Sequence, residues 1–450
     1  MKASSFKYTL LTILASLIGL IILLVPFHAF LTVWASSVFG HYTALRLWKE
    51  TLLLLVALGT GYLLITDHKI RSHTLTRRLV WITLLYCAFL TLQGLAAELT
   101  GRVTLKAYAY GLVSDLRLPV FFLLSWAVTL RTSRLQTKWP RLILGPAVIV
   151  VVFGLLQVFV LPRDFLAHFG YNASTIYPYE TINHNAHYVR IASTLRGANP
   201  LGTYLLVPIA LLTTYIATGR RRWQELALLA GCFVVLFFSF SRGAWIGAVL
   251  TVAAVGFVKL HKQLLRPRVA VACAALLVVL AGAGVALRNN TRLQNIVLHT
   301  QSHSAVKTTS NHGHLTATVD GLKAIEHEPL GQGLGSSGPA SVYNTTARIP
   351  ENYFLQIGEE AGIAGLGLFV LMSGGVGYLL WLRRANPLAL CLFASLVGIT
   401  AVNLVSQAWS DDTLAYLWWG LAGIAMVELP KPGKKKAKTG KSVTTAKAVA

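Results

Sequence analysis

The chain is written in long apolar blocks separated by short polar punctuation. Apolar runs occupy residues 8–35, 44–66, 77–98, 105–130, 140–161, 199–217, 222–239, 243–260, 268–287, 352–382, 386–408 and 413–428. A helix rises about 1.5 Å per residue, so some 20 residues cross a hydrocarbon core of roughly 30 Å. The pattern predicts an all-α polytopic membrane helix bundle of about 12 transmembrane helices. The first run follows Lys2 and Lys7. It exceeds the apolar core of a signal peptide and no small-residue cleavage site follows it cleanly, so it is expected to be a retained first helix. The sixth to eighth runs are short and closely spaced.

Two intervals are too long to be simple connectors. The expected organisation is helices 1–5 over 1–161, an external loop over 162–198, helices 6–9 over 199–287, a large external loop over 288–351, helices 10–12 over 352–428, and a basic disordered cytoplasmic tail over 429–450. The long loop between helices 9 and 10 far exceeds ordinary connections. It carries its own helical spacing at Leu315, Val319, Leu322 and Ile325, which predicts a partly helical external subdomain.

Composition sharpens this picture. Charged residues make up 12% of the 450 and hydrophobic residues 55%, with mean hydropathy +0.60; a soluble domain carries about 25% charged residues. The net charge of +24 would suggest nucleic acid in a soluble protein. Here the basic residues sit in alternate loops: His68-Lys69-Ile70-Arg71 through Arg77-Arg78, Arg131 to Arg141, Arg220-Arg221-Arg222, Lys259 to Arg268, and Arg383-Arg384, followed by a lysine-rich tail from Lys431 to Lys447. The intervening loops are poorer in basic residues, and one of them, Ser410-Asp411-Asp412, is acidic. Basic loops mark the cytoplasmic side, so both termini are expected inside and both long loops outside. No nucleic-acid partner is expected, only membrane lipid. Cys87, Cys232, Cys273 and Cys391 each lie within an apolar run without CxxC spacing, which argues against a disulfide framework or a zinc site.

Four segments at the expected outer surface carry the candidate chemistry. The first is Asn183-His184-Asn185-Ala186-His187-Tyr188-Val189-Arg190, followed by Arg196-Gly197-Ala198-Asn199-Pro200-Leu201-Gly202. Arg196 can fork onto a phosphate or anchor a helix end by snorkelling. His184 and His187 have a metal-compatible spacing but no evident third ligand, which favours a polar loop role over a metal site. The second segment is Ser239-Phe240-Ser241-Arg242-Gly243-Ala244-Trp245, a tight turn holding Arg242 near membrane depth. An arginine there costs roughly 2.5–3.5 kcal/mol on insertion scales, which points to function, with turn capping as the alternative.

The third segment is Pro329-Leu330-Gly331-Gln332-Gly333-Leu334-Gly335-Ser336-Ser337-Gly338-Pro339. Its glycines permit tight turns and close approach to an anion, although it matches neither a Walker nor a dinucleotide motif. The fourth runs from Pro350-Glu351-Asn352-Tyr353 to Glu359-Glu360-Ala361-Gly362. Glu351 sits where a helix begins and is either a cap or a general base. Glu359 is expected to pair with an arginine in the interior.

The four segments, in this order, resemble the O-antigen ligase / O-antigen polymerase family of GT-C-type membrane glycosyltransferases. The pieces that carry the resemblance are Arg196-Gly197 with Asn199 to Tyr204, Phe240 to Ala244, Pro329 to Gly335, and Glu351 to Gln356 with Glu360 to Ile363. The resemblance spans about residues 180–380; the N-terminal third matches only as a hydropathy pattern. It implies an outer-face enzyme of the bacterial inner membrane that uses an undecaprenyl-diphosphate-linked glycan donor and a glycan or lipid-core acceptor, with no metal or cofactor. Arg196 and Arg242 would hold the diphosphate, and Glu351 would take the acceptor proton. Arg190, His184, His187, His314, Asn352, Gly331, Gly333 and Gly335 are the accompanying substrate-binding candidates.

Two departures matter. Ligases of the family typically carry a histidine directly before the asparagine, where this chain has Glu351, and this leans the reading towards a polymerase. Relatives often have an arginine ahead of the long-loop helix, where this chain has His312-Gly313-His314. His314 can contact an anion when protonated, or cap a helix starting near Leu315. A transporter or flippase is the main alternative, but no repeated halves are visible.

Overall fold

The computed structural model describes residues 2–182, 185–220, 222–264, 290 and 310–427. The predicted run 268–287, parts of the long loop, and the tail after 427 lie outside the described residues, as do Cys273 and His184.

The chain is a membrane helix bundle. Its first run is α1 (Lys2–Leu24), a 3₁₀ turn at Val25–Phe27 carrying Pro26, then α2 (His28–Phe39). There follow α3 (Tyr42–Leu45), α4 (Trp48–Thr66), α5 (His68–Leu75), α6 (Arg78–Leu99), α7 (Leu105–Thr129) and α8 (Arg134–Phe159). After a two-stranded ribbon come α9 (Ala198–Ala217), α10 (Trp223–Phe238), α11 (Arg242–Leu264), α12 (Ser310–His327), α13 (Tyr353–Leu382), α14 (Pro387–Asn403) and α15 (Asp412–Ala425). Among the described residues, eight helical segments are long and apolar enough to cross a membrane, and α10 and α14 are shorter apolar helices.

Helix starts follow local capping chemistry. Asp67 accepts from the Lys69 and Ile70 N–H groups, Thr104 from Ala107, Asn386 from Leu388, and Asp411 from Thr413 and Leu414. These side chains satisfy donors that a helix start leaves open.

The buried centre is built on α9 and α15. Helix α9 packs on α11, α14 and α10, and α15 packs on α7. The α11–α14 crossing is close because a Cβ on Gly398 would collide with Thr251 and the Gly247 carbonyl. Small residues permit such approach between membrane helices. Trp409, Trp418 and Trp419 are fully buried, with ring centroids 5.1–5.6 Å apart.

The segment over 162–198 is more ordered than a simple loop. It holds a 3₁₀ turn (Phe165–Phe169) and strands β1 (Glu180–Ile182) and β2 (Asn185–Arg190), paired antiparallel with Glu180 opposite Arg190. The helix predicted near Leu315 begins earlier, at Ser310. His314 therefore lies inside α12 and does not cap its start. Leu315, Val319 and Leu322 are exposed. Helix α12 instead approaches α13 through Gly321 and Ile325, which meet Leu355 and Gly358.

The run 352–382, read as one helix, is interrupted at Gly362, whose φ is 65°. The glycine-rich segment fits into the interruption. Gln332 and Gly333 donate their N–H groups to the carbonyls of Glu359 and Glu360, both at 2.9 Å, and Ile363 N–H donates to Pro329 at 3.0 Å. The Gln93 amide also donates to the Glu360 carbonyl, at 2.9 Å. A broken helix is tolerable in a membrane only where its freed backbone groups find such partners.

Candidate functional site

Arg196 and Glu351 line the same cleft, of about 260 Å³, at one end of the bundle. Its walls come from the start of α9 (Asn199, Pro200, Thr203), from Pro339 and Ile349, and from the 405–411 connection into α15. Both candidates are exposed to the cleft side of the protein, Glu351 directly before the α13 cap. Arg196 is 60% exposed and its guanidinium lies 3.6 Å from the buried Asp411 carboxylate.

Arg190 ties the ribbon to this cleft. Its Nε donates to the Ser239 carbonyl at 3.0 Å and its Nη2 to Asn199 Oδ1 at 2.6 Å, and its Nη1 lies 3.3 Å from Glu180. Glu180 also accepts from the Ala198 N–H at 3.3 Å. Burial pulls the Arg190 guanidinium below its usual range, and Glu180 opposes that pull. One arginine thus joins the ribbon, the turn before α11 and the first turn of α9. Arg242 opens α11 and is close enough to Arg190 for the two charges to repel. The turn is compact because a Cβ on Gly202 would strike Ala244 and Ser241, and Phe240 takes a φ of 50°.

The other candidates take different places. Asn352 is buried and caps α13, accepting from Phe354 and Leu355 N–H at 2.9 and 3.2 Å, while its amide donates to Leu404. Gly331, Gly333 and Gly335 have φ of 80°, 113° and 90° and are consumed by packing. A Cβ on them would collide with the α13 backbone at 360–362, with Ala97 and with the Ala107 carbonyl, respectively. None of the three lines the cleft. His187 is an exposed strand residue away from the cleft. Among the described residues no arginine lies within 4.0 Å of Glu359, though the Arg348 charge acts on it; it accepts a hydrogen bond from the Ser337 hydroxyl at 2.6 Å. The reason is local: the break at Gly362 brings the glycine-rich segment, and with it Ser337, over this carboxylate.

A cluster beside the cleft was not singled out in the sequence. Asp412 accepts from Lys49 Nζ at 2.9 Å and from Arg117, and lies 3.4 Å from His28 Nε2. The Trp48 indole N–H donates to His28 Nδ1 at 2.9 Å, which leaves the Nε2 proton directed at Asp412. Lys49 also bonds Glu50 at 3.0 Å, and Arg117 donates to the Ser410 carbonyl. Charges inside apolar runs were the available signal: Lys49-Glu50 and Arg117 interrupt theirs.

A second space, of about 600 Å³, lies between α12 and residues 348–350. Asp320, Lys323, His327, Arg348 and Glu359 line it, and Ile349 borders both it and the Arg196 cleft.

Apolar helices long enough to cross a membrane, packed around a polar, arginine-bearing cleft, define a multi-pass membrane protein. Residues 226–370 match the family model described as O-antigen ligase. The match supports placement in the O-antigen ligase / O-antigen polymerase family, and with it an O-antigen ligase- or polymerase-type, glycosyltransferase-like membrane enzyme. The matched stretch holds Arg242, the glycine-rich segment and Glu351; Arg190 and Arg196 precede it. No curated protein sequence matches the chain.

Proposed function

We propose that the protein ligates or polymerises glycans at the outer face of the bacterial inner membrane, from an undecaprenyl-diphosphate-linked donor. The observation that carries this reading is the meeting of Arg196 and Glu351 in one cleft, with Arg242 following the turn that Arg190 binds through the Ser239 carbonyl. An acceptor sugar hydroxyl attacks the anomeric carbon of the donor. Glu351 takes the hydroxyl proton, and the bond from the anomeric carbon to the diphosphate oxygen breaks with its electron pair on the departing undecaprenyl diphosphate. Arg196 and Arg242 stabilise the growing phosphate charge, so the step requires no metal. The mixed donors and acceptors of the neighbouring 600 Å³ space suit an acceptor saccharide. Glu351, in the place of the ligase histidine, favours polymerisation over strict ligation.

Charge sets the orientation. Arg131 pairs with Asp67 at 3.2 Å, Gln136 donates to Val427, and Arg383 donates to Ala425. These contacts gather several basic loops at the end of the bundle away from the cleft. That end is the cytoplasmic one under the positive-inside rule, which leaves the cleft outside.

The test is glycan transfer from a lipid-linked donor by the variants Arg196→Ala, Arg242→Ala and Glu351→Gln, each checked for normal abundance. Loss of a general base typically costs 10²–10⁴-fold in rate. Full activity in all three variants would overturn the site. In a deletion strain, surface glycan of single repeats marks a lost polymerase, and accumulated unattached polymer marks a lost ligase.

A further inference from the structure

A smaller cavity, of about 100 Å³, lies against the Arg196 cleft, on the side of the N-terminal helices. Arg196, Pro339, Ser410 and Asp411 line both spaces, so the two share a wall in which Arg196 is the cation. The rest of the small cavity is lined by Tyr42, Arg46, Tyr110, Ser114, Arg117 and the His28–Asp412 pair, among others. Its volume suits several waters or one phosphate group.

The cations here are not equally satisfied. Arg117 and Lys49 share Asp412, Lys49 also has Glu50, and Arg196 has Asp411. Arg46 differs. Its Nη2 donates to the Tyr110 hydroxyl at 2.7 Å, and its guanidinium lies 6.0 Å from that ring centroid. Among the described residues no carboxylate lies within 4.0 Å of it. It is a partly buried guanidinium whose one short side-chain hydrogen bond is to a neutral group, with the Asp412 charge acting on it from farther off in the same cavity. An arginine so placed retains fork donors for a phosphate oxygen, and the Tyr110 hydroxyl, which accepts from Arg46, has its own proton to offer.

We propose that Arg46 and Tyr110 form a second anion subsite, in which one phosphate of a lipid-linked diphosphate sits while Arg196 holds the other from the shared wall. This rests on reading the cleft as the donor site, and it adds a specificity role: the subsite distinguishes a lipid diphosphate from a lipid monophosphate. Arg46 precedes the family-matched stretch by a wide margin, so the N-terminal helices contribute directly to substrate recognition.

The experiment measures direct binding of undecaprenyl diphosphate and undecaprenyl monophosphate, neither bearing sugar, to the full-length protein in lipid nanodiscs. The wild type is expected to prefer the diphosphate. Arg46→Gln should weaken diphosphate binding roughly tenfold or more, the size expected for a lost hydrogen bond to a charged group, and leave monophosphate binding unchanged. Arg46→Lys should fall between, and Tyr110→Phe should give a smaller, diphosphate-selective loss. Absence of a preference in the wild type, an unchanged preference in Arg46→Gln, or equal weakening of both lipids would each overturn the subsite. Because no sugar is transferred, this result is separate from the transfer assay: either can fail while the other holds.

Discussion

Asp411 holds Arg196 from beneath: the carboxylate is 7% exposed, the guanidinium 60%, and 3.6 Å separates them. The same carboxylate caps α15 through the Thr413 and Leu414 N–H groups. Asparagine caps helices as well as aspartate does, so Asp411→Asn removes the charge and keeps the cap. The Arg196 side of the pair is open to solvent, which limits what the pair adds to stability, and the fold should persist. Arg196 is then free to serve substrate phosphate alone. The expected outcome is a few-fold tighter binding of undecaprenyl diphosphate, read in the same nanodisc assay, with an unchanged melting temperature.

Asp412 has the opposite character. It gathers Lys49, Arg117 and His28 in a space that excludes most water. Removing one partner of a buried charge cluster typically costs 3–5 kcal/mol. Asp412→Ala should therefore lower the melting temperature in detergent sharply. The double variant Asp412→Ala with Lys49→Met should recover part of the loss, because one stranded cation is removed. No recovery would show that packing rather than charge sets the cost.

Glu360 and Asp115 present a second buried pairing. Both are almost fully buried, and each carboxyl group acts electrostatically on the other. Glu360 Oε1 accepts from the Gly335 N–H at 3.0 Å, but Oε2 and both Asp115 oxygens have no donor among the described residues. Glu360→Gln keeps an acceptor for Gly335 and brings a donor for Asp115. It should match the wild type in thermal stability or exceed it, whereas Glu360→Ala should lose about 1–3 kcal/mol.

The base can be tested by exchange. Glu351→His places an imidazole where family ligases carry one. It should retain measurable transfer where Glu351→Gln does not. The acidic limb of its pH–rate profile should move towards neutrality, because imidazole holds a proton more tightly than a carboxylate does. Activity equal in the histidine and glutamine variants would remove Glu351 from the chemistry.

Gly331 tests the helix break. Its φ of 80° and its contact with the backbone of residues 360–362 leave no room for a methyl group. Gly331→Ala should be among the most destabilising single changes in the glycine-rich segment, read as loss of folded protein after mild heating.

The hydropathy pattern disclosed the bundle because apolar length is a direct consequence of crossing lipid. Arg196 and Glu351 were singled out by the motifs that carry the family resemblance, and the fold brings the two to one cleft. The glycines at 331, 333 and 335 were legible as special but not as to purpose. Spacing alone does not tell a phosphate cradle from a plug for a broken helix; only the positions of Glu359 and Glu360 do. Arg46 escaped notice, and Asp412 was noticed only as part of an acidic loop, because their partners lie far away along the chain, where no periodicity points.

That separation has a consequence in time. Arg117 meets Asp412 across 295 positions of sequence. At about 5–20 residues per second of synthesis, the arginine waits roughly 15–60 s for its counter-charge to be made. Throughout that interval Lys49 has Glu50 beside it, while Arg117 belongs to a half-built bundle that still lacks Asp412. The nascent protein must be sheltered, by a membrane chaperone or by water admitted among its early helices, until the last helix closes it.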